Sequence, residues 1–194
     1  MDRSSRIPLE IALEVLAAVR GESVVVTTMS TTRPWLRTND HPLDFNYIPS
    51  TMGGGIPLAL GIALAQPSRE VIVLCGDGSL LMSLGSLVTV VAGGAKNLSI
   101  VLFENGIYEV TGGQKLPVTR RPIDYAAIAS ASGIESVIGF DTATAWQSEA
   151  SDALTLPGPR LITLRVERAI DGSGDVGSMQ QQIVRFRQAI GSAR

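Results

Sequence analysis

The chain has 194 residues, with 16 basic and 18 acidic side chains and a formal net charge of −2. Nucleic-acid binding is disfavoured because the sequence has no basic stripe. The single cysteine, Cys75, excludes an intrachain disulfide and favours a reducing compartment. Glu10 and Glu14 interrupt the apolar N-terminal segment, so the pattern predicts an amphipathic helix there and no signal peptide. No apolar run reaches the roughly 18 residues of a membrane span, and we expect a cytoplasmic protein with no membrane or nucleic-acid partner.

The first half of the chain alternates helical periodicity with β-branched runs. Leu9, Leu13 and Leu16 recur at helical spacing, which predicts a first helix ending near Gly21. The run SVVVTT is typical of a strand covered on both faces. The predicted elements that follow the helix are a strand at residues 23–28, a polar loop at 29–46 whose prolines exclude a long helix, a glycine turn at 50–55, a small-residue helix at 58–65 and a strand at 71–75.

The second half continues the alternation. An apolar helical face that includes Leu80, Leu87 and Val91 ends at a Gly-Gly pair. The predicted elements are a helix from Ser79 to about residue 92, a strand at 98–103, a glycine-rich loop at 106–121, a helix at 122–132, a strand at 136–140, a helix at 143–154, a strand at 161–166, a loop at 169–179 and a final helix at 180–190.

This alternation predicts an α/β fold, a doubly wound and mainly parallel sheet flanked by helices. We expect residues 1–194 to form one domain, with a core at about 7–167 and a C-terminal loop and helix at 168–194. A domain of this length buries roughly 70% of its unfolded surface. Residues 172–177 match the G-x-G-x-x-G pattern, but no further strand and no acidic residue about twenty positions on accompany it, so dinucleotide binding is not expected.

Two predicted strand ends carry oxygen-bearing side chains. Gly76-Asp77-Gly78 follows one strand and Asn105 the next, and the carboxyl ends of parallel strands open onto one crevice. The glycines and the free N–H groups of the helix beginning near Ser79 favour an anion, yet Asp77 repels one. Mg²⁺ resolves this conflict, because Asp77, the side-chain oxygen of Asn105, a nearby backbone carbonyl, two diphosphate oxygens and a water complete six oxygen ligands. The alternative is that Asp77 only caps the helix.

These residues resemble a known motif. Gly76-Asp77-Gly78, a spacer of 25 residues and then Glu104-Asn105 are similar to the thiamine diphosphate motif of the decarboxylase and acetolactate synthase superfamily. The segment TMGGG at residues 51–55 resembles the family's segment in which an apolar residue supports the bent cofactor. The resemblance covers about residues 7–167 and, through GDGSLLMSLGSLVT and NGIYEVTGGQ, extends to sulfopyruvate decarboxylase β chains and the C-terminal half of phosphonopyruvate decarboxylases. Glu104 departs from the motif, which usually has Asn there.

The resemblance implies thiamine diphosphate and Mg²⁺ as cofactors, and it assigns two sets of residues. The metal ligands are Asp77, Asn105 and the carbonyl of Ile107. The cofactor-binding residues are Met52, Gly53, Gly76, Gly78, Ser79, Thr28 and Ile107. Within the second set, the amides of Gly78 and Ser79 contact the diphosphate and Met52 lies beneath the bent cofactor, although Met52 is also a common core filler.

The resemblance also implies a partner. Enzymes of this family need a glutamate that contacts the cofactor's aminopyrimidine ring, and that glutamate comes from a separate pyrimidine-binding domain. We therefore expect another chain to supply that domain, in a hetero-oligomer with homodimer contacts. The implied activity is decarboxylation of a small 2-oxoacid, 3-sulfopyruvate or 3-phosphonopyruvate, by a subunit that is inactive without its partner. The alternatives are an acetolactate synthase-like carboligase, an oxoacid oxidoreductase component and a non-catalytic cofactor-binding assembly subunit.

The loop after the first strand holds polar residues with two interpretations. His41, the only catalytic candidate of this chain, is either a base or substrate-carboxylate contact at the crevice or an ordinary loop residue. The hydroxyls of Thr28, Ser30 and Thr31 either donate to the diphosphate or are ordinary turn polarity.

Three further residues also admit a functional and an ordinary interpretation. Glu109 and Gln114 either line the substrate pocket or are solvated loop residues. Trp35 either stacks on the cofactor or is a packing or interface anchor.

Overall fold

A computed structural model describes residues 6–117, 122–168 and 177–191. Six strands form the central sheet: β1 (Val24–Thr28), β2 (Asp44–Tyr47), β3 (Val71–Gly76), β4 (Leu98–Glu104) and, after a hairpin of β5 (Ile107–Tyr108) and β6 (Gln114–Lys115), β7 (Ser136–Phe140) and β8 (Arg160–Arg165). The order across the sheet is β2-β1-β3-β4-β8-β7, and all neighbours are parallel.

Helices cover both faces of the sheet. They are α1 (Leu9–Val19), α2 (Thr32–Thr38), α3 (Gly55–Ala65), α4 (Asp77–Leu81), α5 (Gly85–Gly93), α6 (Tyr125–Ala131), α7 (Ala143–Thr155) and α8 (Met179–Gly191). Across the described ranges, no helix has the length and apolar character needed to cross a membrane.

Successive strand side chains enter two separate apolar cores, as the pleat of a strand requires. In β3, Val71 and Val73 pack in the core that contains residues of α3, α5, α6 and α8. Ile72 and Leu74 pack in the other core, with residues of α1, α2 and α7. The prediction of a parallel, doubly wound α/β fold is therefore confirmed.

The predicted polar loop at residues 29–46 instead contains α2 and the edge strand β2. Its prolines do exclude a long helix, but Pro34 lies in the first turn of α2, where its missing N–H costs no hydrogen bond. Trp35 is fully buried in the core shared with α1, and Phe45 of β2 packs edge-on against an aromatic ring of α8, with centroids 5.1 Å apart. The loop prediction was wrong because both contacts come from distant segments.

The helix predicted from Ser79 to about residue 92 is instead two short helices, α4 and α5. The second ends at the predicted glycine pair, where Gly94 adopts a left-handed φ of 67°. Gly53, in the turn before α3, lies against the interruption: its φ is 83°, and a Cβ on it would lie 2.9 Å from the Cβ of Ser83. The two helices thus leave room for close approach of a distant turn.

The glycine-rich segment after β4 folds back on itself. β5 and β6 pair as an antiparallel hairpin, with Tyr108 opposite Gln114, in a stretch predicted as a loop. The end of that predicted loop, residues 118–121, lies outside the described residues, as do 169–176, which hold most of the G-x-G-x-x-G pattern. The other described elements agree with their predicted bounds to within three residues.

Candidate functional site

A small pocket lies at the carboxyl ends of β1, β3 and β4. The chain leaves β1 towards β2 on one side and leaves β3 towards β4 on the other, so the pocket lies at a topological switch point, where open α/β sheets bind ligands. It holds about 30 Å³ of water-accessible space, enough for about two waters. The residues that line it are Met29, Ser30, Met52, Gly76, Asp77, Gly78, Ser79, Asn105, Ile107, Tyr108, Glu109, Val110 and Thr111.

Asp77 is buried at the junction of β3 and α4, with 2% of its surface exposed. Its Oδ1 accepts a hydrogen bond from the N–H of Gly78 at 2.8 Å, and its Oδ2 accepts one from the N–H of Gly106 at 2.8 Å. Burial raises the pKa of Asp77 to about 6, although the two amide hydrogen bonds and the charge of Arg6 act in the opposite direction. The site therefore holds a carboxylate that a nearby cation would stabilise.

Asn105 follows β4 and is held at both ends of its side-chain amide. Its Oδ1 accepts from the N–H of Ile107 at 3.0 Å, and its Nδ2 donates to Oε2 of Glu109 at 3.1 Å. Its backbone carbonyl accepts from the Arg6 guanidinium at 3.2 Å. These contacts give the amide one orientation, with its oxygen on the side of Ile107.

The turn before α3 is tied to the start of α4. The N–H of Gly53 donates to Oγ of Ser79 at 2.9 Å, so the segment with Met52 is held beside the β3–α4 junction. A Cβ on Gly76 would meet nothing within 4 Å, whereas one on Gly78 would lie 2.7 Å from the Tyr108 ring. Gly76 therefore leaves open space beside the pocket, and Gly78 permits the hairpin to pack closely.

The donor set suits a hard cation. Nowhere in the described ranges do three or more His, Cys, Asp or Glu residues gather in a metal-binding group, so a metal here would rely on the carboxylate of Asp77, the amide oxygen of Asn105, backbone carbonyls and external oxygens. Each carboxylate oxygen of Asp77 accepts a hydrogen bond from a backbone amide and has a further lone pair for another partner. Oxygen donors of this kind, completed by water and phosphate, are typical of Mg²⁺.

Several predicted contacts do not face the pocket. The hydroxyl of Thr28 donates to the carbonyl of Leu74 at 2.8 Å, and that of Thr31 donates to the carbonyl of Thr28 at 2.8 Å. Gln114 is exposed on β6. These hydroxyls stabilise the end of β1 and the turn that follows it, whereas Ser30 lines the pocket.

Trp35 is a packing residue in this structure. It is fully buried, and its Nε1 donates to Oδ2 of Asp44 at 2.8 Å. It lies in the core on the α1 side of the sheet and is not among the pocket-lining residues.

Of the two interpretations of His41, the one that places it at the crevice is wrong. His41 precedes β2, and β2 runs parallel to β1, so this histidine lies at the amino edge of the sheet. Its Nε2 is 3.6 Å from Oε1 of Glu22, which precedes β1, and its Nδ1 accepts from the N–H of Leu43 at 3.2 Å. The error arose because the segment after β1 crosses the sheet within α2 before His41 is reached.

Sequence reasoning missed two features of the pocket. The sequence suggests Glu109 only as a pocket-lining or solvated residue, whereas in the structure it accepts a hydrogen bond from the side chain of Asn105. Met29 has a left-handed φ of 49°, and its N–H donates to Oγ of Ser50 at 3.1 Å. The first depends on how the chain turns after β4, which the spacing of Asn105 and Glu109 does not encode, and methionine carries no signal for left-handed backbone.

The chain is similar in sequence to known proteins. The family described as thiamine pyrophosphate enzyme, C-terminal TPP binding domain, matches residues 24–164. The chain is 36% identical over 176 residues to a phosphonopyruvate decarboxylase of Streptomyces viridochromogenes. The matched region covers 89% of this chain and 43% of that protein. It is 37% identical over 149 residues to sulfopyruvate decarboxylase subunit beta of Methanothermobacter thermautotrophicus. The matched region covers 76% of each chain.

A solved structure shares the fold. The crystal structure of benzoylformate decarboxylase from Polynucleobacter necessarius is similar with a TM-score of 0.72 and 23% identity, over 88% of this chain and 35% of that chain. The present chain thus spans less than half of that enzyme and of the phosphonopyruvate decarboxylase. The family match nevertheless covers most of the chain and includes the three strand ends at the pocket. The chain therefore belongs to the thiamine pyrophosphate enzymes, to the family of their C-terminal cofactor-binding domain, and is related to phosphonopyruvate and sulfopyruvate decarboxylases.

Proposed function

We propose that this chain binds Mg²⁺ and the diphosphate end of thiamine diphosphate, and that together with a pyrimidine-binding chain it decarboxylates 3-sulfopyruvate or 3-phosphonopyruvate. The observation that carries the proposal is the meeting of Asp77 and Asn105 at one pocket, linked by the hydrogen bond from the Gly106 amide to Asp77. Family membership and the activities named for the two relatives support it.

In this proposal, Asp77, Asn105 and the carbonyl of Ile107 hold the metal ion. A buried carboxylate with a raised pKa gains from a cation, because the cation offsets the cost of keeping its charge away from water. The Asn105 amide adds an oxygen donor without adding a second charge. This set leaves coordination positions for diphosphate oxygens and water, as Mg²⁺ requires.

The backbone around Gly76, Gly78 and Ser79 would hold the anionic end of the cofactor. The Gly78 amide is already engaged by Asp77, so we expect it to act on the diphosphate mainly by fixing the carboxylate. When bound, thiamine diphosphate would supply a nucleophilic carbon for addition to the keto group and a cationic ring to take up the electron pair that remains when CO₂ leaves. The residues of this chain bind and orient it, with Met52 at the pocket wall.

Two features support a partner chain. The pocket holds only about 30 Å³ of water-accessible space, so the walls around a whole cofactor have to come from elsewhere. Met82, Val88 and Val110 are each more than half exposed, on the α4–α5 segment and the pocket rim, and apolar side chains of this size suit an interface. A relative that is itself named as a β subunit agrees with this arrangement.

The charge of the pocket-lining residues affects the binding of an anionic substrate group. The described lining residues include two carboxylates, Asp77 and Glu109, and no lysine or arginine. A sulfonate or phosphonate would be repelled by these carboxylates wherever their charge is not offset. A bound sulfonate or phosphonate would therefore need a basic side chain from outside this lining.

Calorimetric titration of the purified chain with thiamine diphosphate and Mg²⁺ tests the site. We expect Asp77→Ala to weaken metal-dependent cofactor binding by more than about 100-fold, because even the outer partners of metal ligands contribute about 10–100-fold. Asp152→Ala, at an exposed position of α7, is the matched control and should bind like wild type. Equal binding by wild type and Asp77→Ala would refute the site assignment.

Product analysis separates the proposed activity from its alternatives. The chain is mixed with the co-purifying pyrimidine-binding chain and supplied with 3-sulfopyruvate or 3-phosphonopyruvate. Release of the aldehyde and CO₂ supports the proposal. A condensed hydroxyketone, reduction of an electron acceptor, or no turnover of any 2-oxoacid would refute decarboxylation to the free aldehyde and favour a carboligase, an oxidoreductase component or an assembly subunit, respectively.

A further inference from the structure

We propose that Glu109 is a positioning residue, which fixes the side-chain amide of Asn105 so that its oxygen is presented to the metal. The proposal rests on the proposed function of the pocket and goes beyond it, because it assigns a role to a residue outside the ligand set. Glu109 lines the pocket, and its side chain is only 12% exposed.

The two ends of the Asn105 amide have partners of opposite character. Oδ1 faces a donor, the N–H of Ile107 at 3.0 Å, and Nδ2 faces an acceptor, Oε2 of Glu109 at 3.1 Å. In the flipped amide, the NH₂ group would face the Ile107 N–H, and the oxygen would face the Glu109 carboxylate. Both contacts would then be repulsive, so each of the two contacts favours the observed orientation of the amide.

Amide orientation matters at this position because the two ends of the group have opposite polarity. The oxygen carries the lone pairs that bind a cation, and the NH₂ group carries two donor hydrogens and cannot bind one. The Ile107 N–H selects the orientation at the oxygen end of the amide, and the Glu109 acceptor selects it at the NH₂ end. Glu109 therefore contributes one of the two contacts that set the orientation.

Glu109 is itself held in place. Its Oε1 lies 3.7 Å from Nε of Arg168, and the Arg168 guanidinium packs over Gly113, where an added Cβ would lie 3.3 Å from it. The segment after β8 thus supports the loop after β4. This support keeps the carboxylate beside Asn105 and offsets part of its charge.

Two substitutions separate positioning by a hydrogen bond from an effect of charge. Glu109→Ala removes the acceptor and leaves Nδ2 of Asn105 without this partner. Glu109→Gln removes the charge, but its amide oxygen still accepts a hydrogen bond. Glu135→Ala, at an exposed position before β7, is the matched control.

The first measurement is the affinity of each variant for Mn²⁺, as an EPR-visible substitute for Mg²⁺, with thiamine diphosphate at saturation. We expect Glu109→Ala to weaken metal binding about tenfold, as for other outer partners of metal ligands, while Glu109→Gln and Glu135→Ala stay within about threefold of wild type. Unchanged binding in Glu109→Ala would overturn the proposal. An equal loss in Glu109→Gln would overturn it too, because charge would then be responsible.

The second measurement needs no cofactor. In the metal-free chain, the side-chain amide resonances of Asn105, identified by their loss in Asn105→Asp, should move in Glu109→Ala and return towards their wild-type positions in Glu109→Gln. Unmoved resonances would refute the contact whatever the metal affinity.

If wild type binds no metal, the proposed function fails and the positioning role falls with it; if wild type binds and Glu109→Ala binds equally well, only the positioning role fails.

Discussion

The N–H of Gly106 donates to Oδ2 of Asp77 over 2.8 Å. Gly106 has a left-handed φ of 78°, a backbone conformation that glycine adopts without strain. This bond joins the loop after β4 to the end of β3 and so brings the chain beside Asn105 to the buried carboxylate. The two halves of the motif, separated by a helix pair and a strand, are thereby one structural unit.

We predict that Asp77 of the metal-free chain titrates near pH 6. Burial raises the pKa of Asp77 from its ordinary 3.8 to about 6, so the folded chain binds a proton more tightly than the unfolded chain. Its contribution to stability is fully present below about pH 4 and is lost as the pH rises through about 6, a difference of up to about 3 kcal/mol. The ¹³Cγ chemical shift of Asp77 against pH measures the midpoint directly.

Mg²⁺ should reverse this behaviour if it binds at Asp77. A bound cation favours the ionised carboxylate, so the midpoint should move below its metal-free value, and the unfolding temperature above pH 6 should rise when Mg²⁺ and thiamine diphosphate are added together. A metal-free midpoint near pH 4 would contradict the predicted titration of Asp77 near pH 6. An unchanged midpoint with the metal present would contradict metal binding at Asp77.

Two glycine-to-alanine substitutions should act in opposite directions. Gly53 has φ of 83°, and an added Cβ would lie 2.9 Å from Cβ of Ser83, so Gly53→Ala should destabilise the fold by at least about 2 kcal/mol. Gly61 lies inside α3, and an added Cβ there would meet nothing within 4 Å. Gly61→Ala should therefore stabilise the fold by about 0.5–1 kcal/mol.

Urea unfolding of both variants measures the difference. The Gly53→Ala variant should also lose affinity for thiamine diphosphate, because the Gly53 N–H holds the Met52 segment to Ser79. Equal stability of the two variants would show that the close approach at residue 53 is relieved without cost.

Trp35→Phe should lower stability and leave cofactor binding unchanged. The substitution removes the Nε1 donor to Asp44 and leaves a buried carboxylate with one fewer partner, which costs about 1–3 kcal/mol. Thermal unfolding and a thiamine diphosphate titration on the same sample give both quantities. A loss of cofactor binding at unchanged stability would support the stacking interpretation of this tryptophan.

His41→Ala should leave decarboxylation unchanged within about twofold, a difference of about 0.4 kcal/mol in the barrier. The imidazole contacts Glu22 and the N–H of Leu43 at the amino edge of the sheet, at the opposite end of the strands from Asp77. Initial rates of the two-chain enzyme check this expectation. A large loss of activity in a stably folded variant would mean that His41 reaches a catalytic centre by a contact with another chain.

The amino-acid sequence by itself determined the fold class and the pairing of Asp77 with Asn105. Both depend on local patterns: β-branched runs that strands require, helical periodicity, and glycines at strand ends in the spacing of a known motif. In parallel sheets such strand ends meet at one edge without further specification, so this much of the pocket could be predicted. The bounds of most elements followed for the same reason.

Only the tertiary structure decided the features that depend on contacts between distant segments. α2 and β2 form because Trp35 and Phe45 find buried partners outside their own stretch, and the helix after Asp77 is interrupted where Gly53 packs against it. The position of His41 and the bond between Asn105 and Glu109 depend on where the backbone turns. Such turns follow from the packing of the whole domain, which local propensity does not encode.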